Sequence, residues 1–313
     1  MSAVRTGSVC WSKAFWAASL IGAVSITGCR DAEAPAEAPD TAAAARFIEV
    51  DDVGKVRIPF YDPNNFSDPT RIDNPLLPMS PGTRFVLKGE TVSDGEAVEH
   101  EVVQVVTGLT KTVNGLRTVV LWERDISDGV VAEAEIAFFA QDDDGNVWLL
   151  GEYPEEYEEG RFQGAPSTWL SGIANAKAGT IMPAEPAMTD PVYIQGLAPD
   201  VDFQDVARVH KVGQEVCVPA GCYKDVTVID EWDPLAQPQD GHALKFHAAG
   251  AGTVRVEPVG GEEQETLSLV SQTTLSPEEL AKANQAALEL DAHAYEANAR
   301  YSQTSPAEGP AGG

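Results

Sequence analysis

The sequence predicts a mainly β protein. The expected architecture is an antiparallel meander forming a strongly curved sheet or open barrel, with a proline-rich N-terminal strap and one C-terminal helix. Three observations predict it. Asp94-Gly95, Asn114-Gly115, Asp128-Gly129 and Asp144-Gly145 punctuate runs rich in valine and aromatic residues, the pattern of short strands joined by tight hairpins. Prolines crowd residues 59–82, where they exclude a long helix. Ser276-Pro277-Glu278-Glu279 combines a serine N-cap, proline at the first helical position and glutamate at the third, which together open a helix.

Arg5 and Lys13 give the chain a positive start, and Ala14 to Ile26 is an apolar run broken only by small residues and serine. This is the shape of a secretory signal. Its core of about 13 residues is shorter than the roughly 20 that span a bilayer. The cut site, Ile26-Thr27-Gly28-Cys29, resembles the lipobox of bacterial lipoproteins. The resemblance implies cleavage before Cys29 and lipid attached to its thiol and its new amino group. Residues 1–28 are therefore read as the signal peptide and 29–46 as a lipid-anchored tether. Ala, Pro, Glu and Asp dominate that tether, and such a composition cannot bury enough apolar surface to offset its ordering entropy.

Residues 47–275 read as one β domain. Its strap carries Phe60, Tyr61, Phe66, Leu76 and Leu77 among the prolines, so it should pack on the sheet in extended form. Strands are expected at Phe85–Leu87, Val98–Thr107, Arg117–Arg124, Val131–Ala140 and Val147–Leu150. Residues 152–206 are less regular, and an acidic run, Glu155-Glu156-Tyr157-Glu158-Glu159, reads as a solvated loop. The β pattern returns at Val206–Val218, Tyr223–Trp232, His242–His247, Thr253–Pro258 and Glu265–Thr274. Residues 276–301 form the helix, with Leu280, Ala283, Ala287, Leu290, Ala294 and Ala297 on one narrow face suited to close packing on the protein itself. Residues 302–313 are expected to be a disordered tail.

The chain carries 49 acidic against 21 basic residues, a net charge of −28. Cleavage before Cys29 would remove Arg5 and Lys13 and no acidic residue, leaving the mature chain more negative still. That disfavours nucleic acid, whose phosphates need cationic partners, and it disfavours lying flat on an anionic membrane. Of the four cysteines, Cys10 leaves with the signal and Cys29 takes lipid. Cys217 and Cys222 flank Val-Pro-Ala-Gly at the ends of a tight hairpin. Outside the cytoplasm the default is a disulfide, with free thiols or a functional pair as the alternatives.

Local motifs for chemistry are sparse. Asp142, Asp144 and Asn146 alternate in an acidic turn whose oxygens suit calcium, although Gly145 is misplaced for a calcium loop and no closing glutamate follows. No other cofactor is suggested. Trp122, Trp148, Trp169 and Trp232 each fall in or near an expected strand; together they are candidates to line a ligand cavity, or simply core. The histidines do not assemble in sequence, and His242 and His247, five apart, point to opposite faces of a strand. There is no Gly-x-Ser-x-Gly, phosphate loop or His-Glu-x-x-His.

Asn74-Pro75-Leu76-Leu77-Pro78 and Pro81-Gly82-Thr83-Arg84-Phe85 resemble the opening of a family of uncharacterised secreted bacterial β proteins. Phe139-Ala140-Gln141-Asp142, Gly145-Asn146-Val147-Trp148 and Val218-Pro219-Ala220-Gly221 are similar to its later landmarks. The resemblance spans residues 60–272 and implies a shared β fold without catalytic residues to transfer.

The expected function is a cell-envelope lipoprotein acting as a binding or scaffolding module. It would touch the membrane through its lipid alone and bind no nucleic acid. Its partner would be a small apolar ligand or an envelope protein. An envelope hydrolase, its site assembled from distant residues, is the competing class. Arg30 after the lipidated cysteine, where aspartate marks inner-membrane retention in some lipoprotein sorting signals, favours the outer membrane.

Overall fold

The computed structural model describes residues 61–93, 96–234, 241–261 and 264–309. The signal, the lipobox, the tether and the Asp94-Gly95 turn lie outside them. Fourteen strands follow in chain order: β1 (Thr83–Ser93), β2 (Glu96–Val113), β3 (Leu116–Ser127), β4 (Val130–Gln141), β5 (Val147–Glu158), β6 (Arg161–Gly164), β7 (Trp169–Leu170), β8 (Lys177–Met182), β9 (Tyr193–Ala198), β10 (Phe203–Val218), β11 (Gly221–Trp232), β12 (His242–Ala248), β13 (Gly252–Val259) and β14 (Gln264–Thr274). Among the described residues one α-helix, α1 (Pro277–Ala297), follows the strands.

Every pairing is antiparallel, and the sheet closes. Strands run in the order β4-β3-β2-β1-β14-β13-β12-β11-β10-β9-β8-β5, and β5 also pairs with β4. The curved sheet is thus a closed barrel of twelve strands, with β6 and β7 added along β5. Closure removes the free edges that such long strands would otherwise present. The turns follow the sequence signals. At Asn114-Gly115 both residues take positive φ, 49° and 79°, as the tight turn of a β2–β3 hairpin requires. Cys217 and Cys222 face each other across β10 and β11 and form a disulfide.

Side chains alternate between two apolar layers. Phe85, Leu87, Val102, Val106, Leu121, Phe139, Val256 and Leu269 point into the barrel. The strap covers one end of it: Ile72, Leu76, Leu77 and Met79 join that core, Gly250 donates to the Pro75 carbonyl, and Gly82 donates to that of Val106. On the outside, Leu109, Val113, Val120, Ile136, Phe138 and Tyr153 make a second core. Helix α1 lies over it with Ala287, Leu290 and Ala294.

The capping box forms as read: Glu279 N–H donates to Ser276 Oγ, and Ser276 N–H donates to Glu279 Oε2. Ser276→Ala should lower stability by about 1 kcal/mol, measured by urea unfolding; an unchanged midpoint would mean that packing alone holds the helix start.

Two expectations are corrected. The tail is not disordered over its described part. Tyr301–Gln303 is a helical turn, and Glu308 exchanges two backbone hydrogen bonds with Thr110 on β2. The reason is a buried ion pair: Lys111 Nζ donates to Asp291 Oδ1 at 2.9 Å and to the Ser305 carbonyl at 2.6 Å, while Ala307 N–H donates to Asp291 Oδ2. Likewise, the acidic run 155–159 is not a solvated loop throughout, because β5 extends through Glu158. Glu155 is buried beneath the helix, accepting from the hydroxyls of Tyr153 and Tyr157 and lying 2.6 Å from His293 Nδ1.

Candidate functional site

The half of the barrel away from the strap is acidic inside. Register dictates this. Gln104 stands opposite Glu123 and Val102 opposite Asp125; on the next pair, Glu123 faces Glu135 and Asp125 faces Glu133. Since Val106 and Leu121 point inward, period-2 alternation sends Gln104, Glu123 and Asp125 inward too. Glu152, opposite Ala137, belongs to the same inner wall.

Burial governs the charge of these groups. It pushes the Glu123 carboxyl up to about 7, against a hydrogen bond from Gln104 and the nearby charges of Lys245 and His100. It pushes Asp125, Glu135, Glu152 and Asp205 well above the usual carboxylate range, reinforced by neighbouring carboxylates. Opposed carboxylates in a low-dielectric wall cannot all ionise. Lys245 is a buried cation of this wall: burial works against its charge, but Glu231, 2.5 Å away, helps hold it above the ordinary lysine range. Burial lowers His247 to about 4, so it is neutral.

One contact set has no local signature in the sequence, because its members come from three different strands. His100 Nδ1 lies 3.1 Å from Ser127 Oγ, and its Nε2 lies 3.4 Å from Asp125 Oδ2. The same Nε2 is 2.8 Å from Glu265 Oε1, off the line of a hydrogen bond but close enough for an ionic contact. A serine, a histidine and two carboxylates therefore meet inside the barrel. Ser127, His100 and Asp125 are enclosed, only 2, 3 and 4% exposed, while Glu265 is partly exposed.

Near the strap the lumen holds a cavity of about 40 Å³, bordered by Met79, Phe85, Lys245 and His247. That is room for roughly three waters, not for an apolar ligand. A larger cavity, about 180 Å³, lies on the outside where the strap meets the β4–β5 turn, with Asp62, Asp144 and Asp190 on its walls and Phe66, Trp148 and Tyr193 beneath.

The turn residues considered for calcium border this outer cavity. Asp142 organises the turn: it accepts from the backbone N–H groups of Asp144 and Asn146, from the Asn146 amide and from Trp148 Nε1. Asn146 Oδ1 accepts from Ala184 N–H, and Asp144 accepts from the Asn65 amide. Among the described residues no three His, Cys, Asp or Glu side chains are arranged to hold a metal ion.

The four tryptophans do not share a cavity. Trp169 lies inside the barrel, stacked on Phe203 and donating to Glu152. Trp148 lines the outer cavity, and Trp122 packs on the outer core with Arg124 over its ring. Trp232 stacks on His242 elsewhere on the outside.

No protein-family model matches the chain, and no curated protein sequence does. Two solved structures are similar to it. One is an exported protein with a YmcC-like fold from Bacteroides fragilis, 15% identical, with 63% of this chain and 98% of that chain covered and a TM-score of 0.37. The other is a lipoprotein from Parabacteroides distasonis, 12% identical over the same shares, with a TM-score of 0.35.

Proposed function

We propose that the chain is a lipid-anchored binding module of the cell envelope, and that its site is the outer cavity between the strap and the β4–β5 turn. The observation that carries this reading is the cavity itself, walled by carboxylates over an aromatic floor. Binding sites combine an apolar surface with a few placed polar groups, and this cavity has both. The lipobox-like Cys29 supplies the anchor. An apolar cargo, the expectation from a concave sheet carrying tryptophans, finds too little room in the lumen cavity of about 40 Å³.

Two measurements test it. Cys29→Ala should move the protein from the membrane to the soluble fraction; persistent membrane association would sink the anchor. Native mass spectrometry of protein equilibrated with small molecules extracted from its host envelope should show an adduct. Asn65→Trp, which fills the cavity, should abolish it. No adduct on the unmodified protein would sink the binding reading.

A second reading, an envelope hydrolase, is favoured by the Ser127–His100–carboxylate contact alone. Its difficulty is access, since an ester carbonyl must reach the Oγ of Ser127, which is only 2% exposed. A fluorophosphonate probe should leave Ser127 unlabelled; labelling that disappears in Ser127→Ala would establish the hydrolase instead.

A further inference from the structure

We propose that the Cys217–Cys222 disulfide is a redox clasp on the barrel wall. A protein dithiol of the envelope reduces it by thiol–disulfide exchange, and the reduced chain loosens between β13 and β14. This goes beyond the binding reading and rests on where the tip of the β10–β11 hairpin is tied.

The seam between β13 and β14 is thin. These strands pair only at Arg255–Ser268 and Val256–Leu267, whereas β1 pairs with β14 from Thr83 to Val92. The β10–β11 hairpin reinforces it. β10 pairs with β9 only as far as Ala207, and β11 pairs with β12 only from Thr227, so the outer part of the hairpin runs past both neighbours. Its tip then crosses the seam. Arg255 of β13 donates from Nη2 to the Cys217 carbonyl at 2.7 Å, and Ala220 N–H donates to the Leu269 carbonyl of β14 at 3.0 Å. Val216 and Val226, near the tip, are buried in the inner core. The lumen cavity borders the same end of the wall, with Gly252 and Thr253 of β13 and Phe85 of β1 around it.

The disulfide keeps that tip in shape. The β10–β11 ladder slips three times between Val209 and Val216, and Gly213 and Asp225 take positive φ, 68° and 54°. Such bulges leave ladder groups unpaired. Beyond them only Val216–Tyr223, Cys217–Cys222 and Val218–Gly221 stay in register, and the central pair is covalent. Both cysteines are exposed, and exposed disulfides are the labile, regulatory ones. The two stand five residues apart, so the bond adds less to global stability than a long-range bridge. Its loss therefore leaves the rest of the barrel folded. In the exchange a donor thiolate attacks one sulfur, the S–S bond breaks, and its electron pair leaves on the other sulfur, which takes a proton. The donor's second thiol resolves the mixed disulfide and frees the second cysteine as a thiol. Two electrons and two protons pass to the chain, and the donor ends as a disulfide.

Amide hydrogen exchange of the mature protein in detergent, before and after treatment with dithiothreitol, tests this. Alkylation by iodoacetamide and peptide mapping score the reduction at Cys217 and Cys222. Dithiothreitol should open the bond in the folded protein. Exchange should then rise roughly tenfold at residues 214–226 and 267–271, the effect of losing about one hydrogen bond at the seam, while β2 and β3 keep their protection. Cys217→Ser/Cys222→Ser should behave as the reduced protein does, and protected β2 and β3 show that it folds. Arg255→Met, which cuts one tie and leaves the disulfide in place, should speed exchange at 267–271 even when oxidised. A bond that stays oxidised in excess dithiothreitol overturns the proposal. So does a fully reduced chain whose seam exchanges at the oxidised rate, which would make the disulfide a staple of the hairpin alone. Exchange that rises throughout the barrel on reduction also overturns it, since the bond would then support the whole fold.

Discussion

Asp291→Ala should destabilise the protein by about 3–5 kcal/mol, the usual result of leaving one member of a buried ion pair alone. Lys111 is buried completely between β2 and α1, its ammonium 4.3 Å from the Tyr301 ring and bonded to Asp291, Tyr295 and the Ser305 carbonyl. Burial lowers its pKa, and Asp291 opposes that shift. Without the carboxylate the ammonium keeps only neutral acceptors and rings. The same change strands the Tyr301 hydroxyl and Ala307 N–H, both of which donate to Asp291. The tail should therefore detach before the barrel unfolds. Urea unfolding measures the loss, and hydrogen exchange at residues 302–309 measures the detachment. Lys111→Met/Asp291→Leu should recover much of the stability, since apolar replacements of buried ion pairs are often tolerated. A single Asp291→Ala variant with an unchanged midpoint and protected tail would show that the pair does not hold the helix.

Stability should fall as pH rises from about 5 to about 8, by about 1.4 kcal/mol per pH unit for each net proton involved. Glu123 titrates at about 7 in the fold, against 4.5 for an ordinary glutamate. Between those values the folded chain keeps a proton that the unfolded chain has lost. The stability associated with that proton is complete below the unfolded value and is lost as pH climbs through the folded one. Asp125, Glu135, Glu152 and Asp205 are shifted the same way. His247 runs opposite: it titrates at about 4 rather than 6.5, so its contribution is lost as pH falls. Five carboxyls outnumber one imidazole, and the net slope is negative. Thermal unfolding across this pH range reads it directly, and Glu123→Gln should flatten it. A melting temperature that rises or stays level with pH would mean that the lumen carboxylates are ionised in the fold.

Much of the architecture was legible before any fold was known. Asn114-Gly115 and Asp128-Gly129 placed their hairpins because few other residues enter the positive φ region that such turns demand. Ser276-Pro277 placed the helix start because its cap is satisfied within four residues. The cysteines paired as expected because a hairpin register is local. The strand ends were less legible: β2 runs to Val113, not Thr107, and β5 to Glu158, because their outer ends are stabilised by neighbours distant in sequence.

The site was the least legible part. Along β4, Glu133 and Glu135 alternate with Ala134, Ile136 and Phe138, and this parity was plain in the sequence. An acidic row alternating with an apolar one reads as solvent against core. Here α1 covers the apolar row from outside and closure turns the acidic row inward, so both faces are buried. Ser127, His100 and Glu265 meet only because β2 pairs with β3 and β14 joins β1 across the chain's full length. Asp142 could be singled out from its neighbours, yet its role as turn organiser depends on where Trp148 and Asn146 place their donors.

By itself, then, the sequence determined what short-range physics controls: strand periodicity, turns, the helix cap, the cysteine hairpin, the acidic charge and the lipobox-like start. Tertiary structure alone decided that the sheet closes, which face of it is inside, which carboxylates lose water, and that the strap and the β4–β5 turn share a cavity. Those outcomes depend on pairings between residues far apart in the chain, and local periodicity carries no information about which partner a strand's second face will meet.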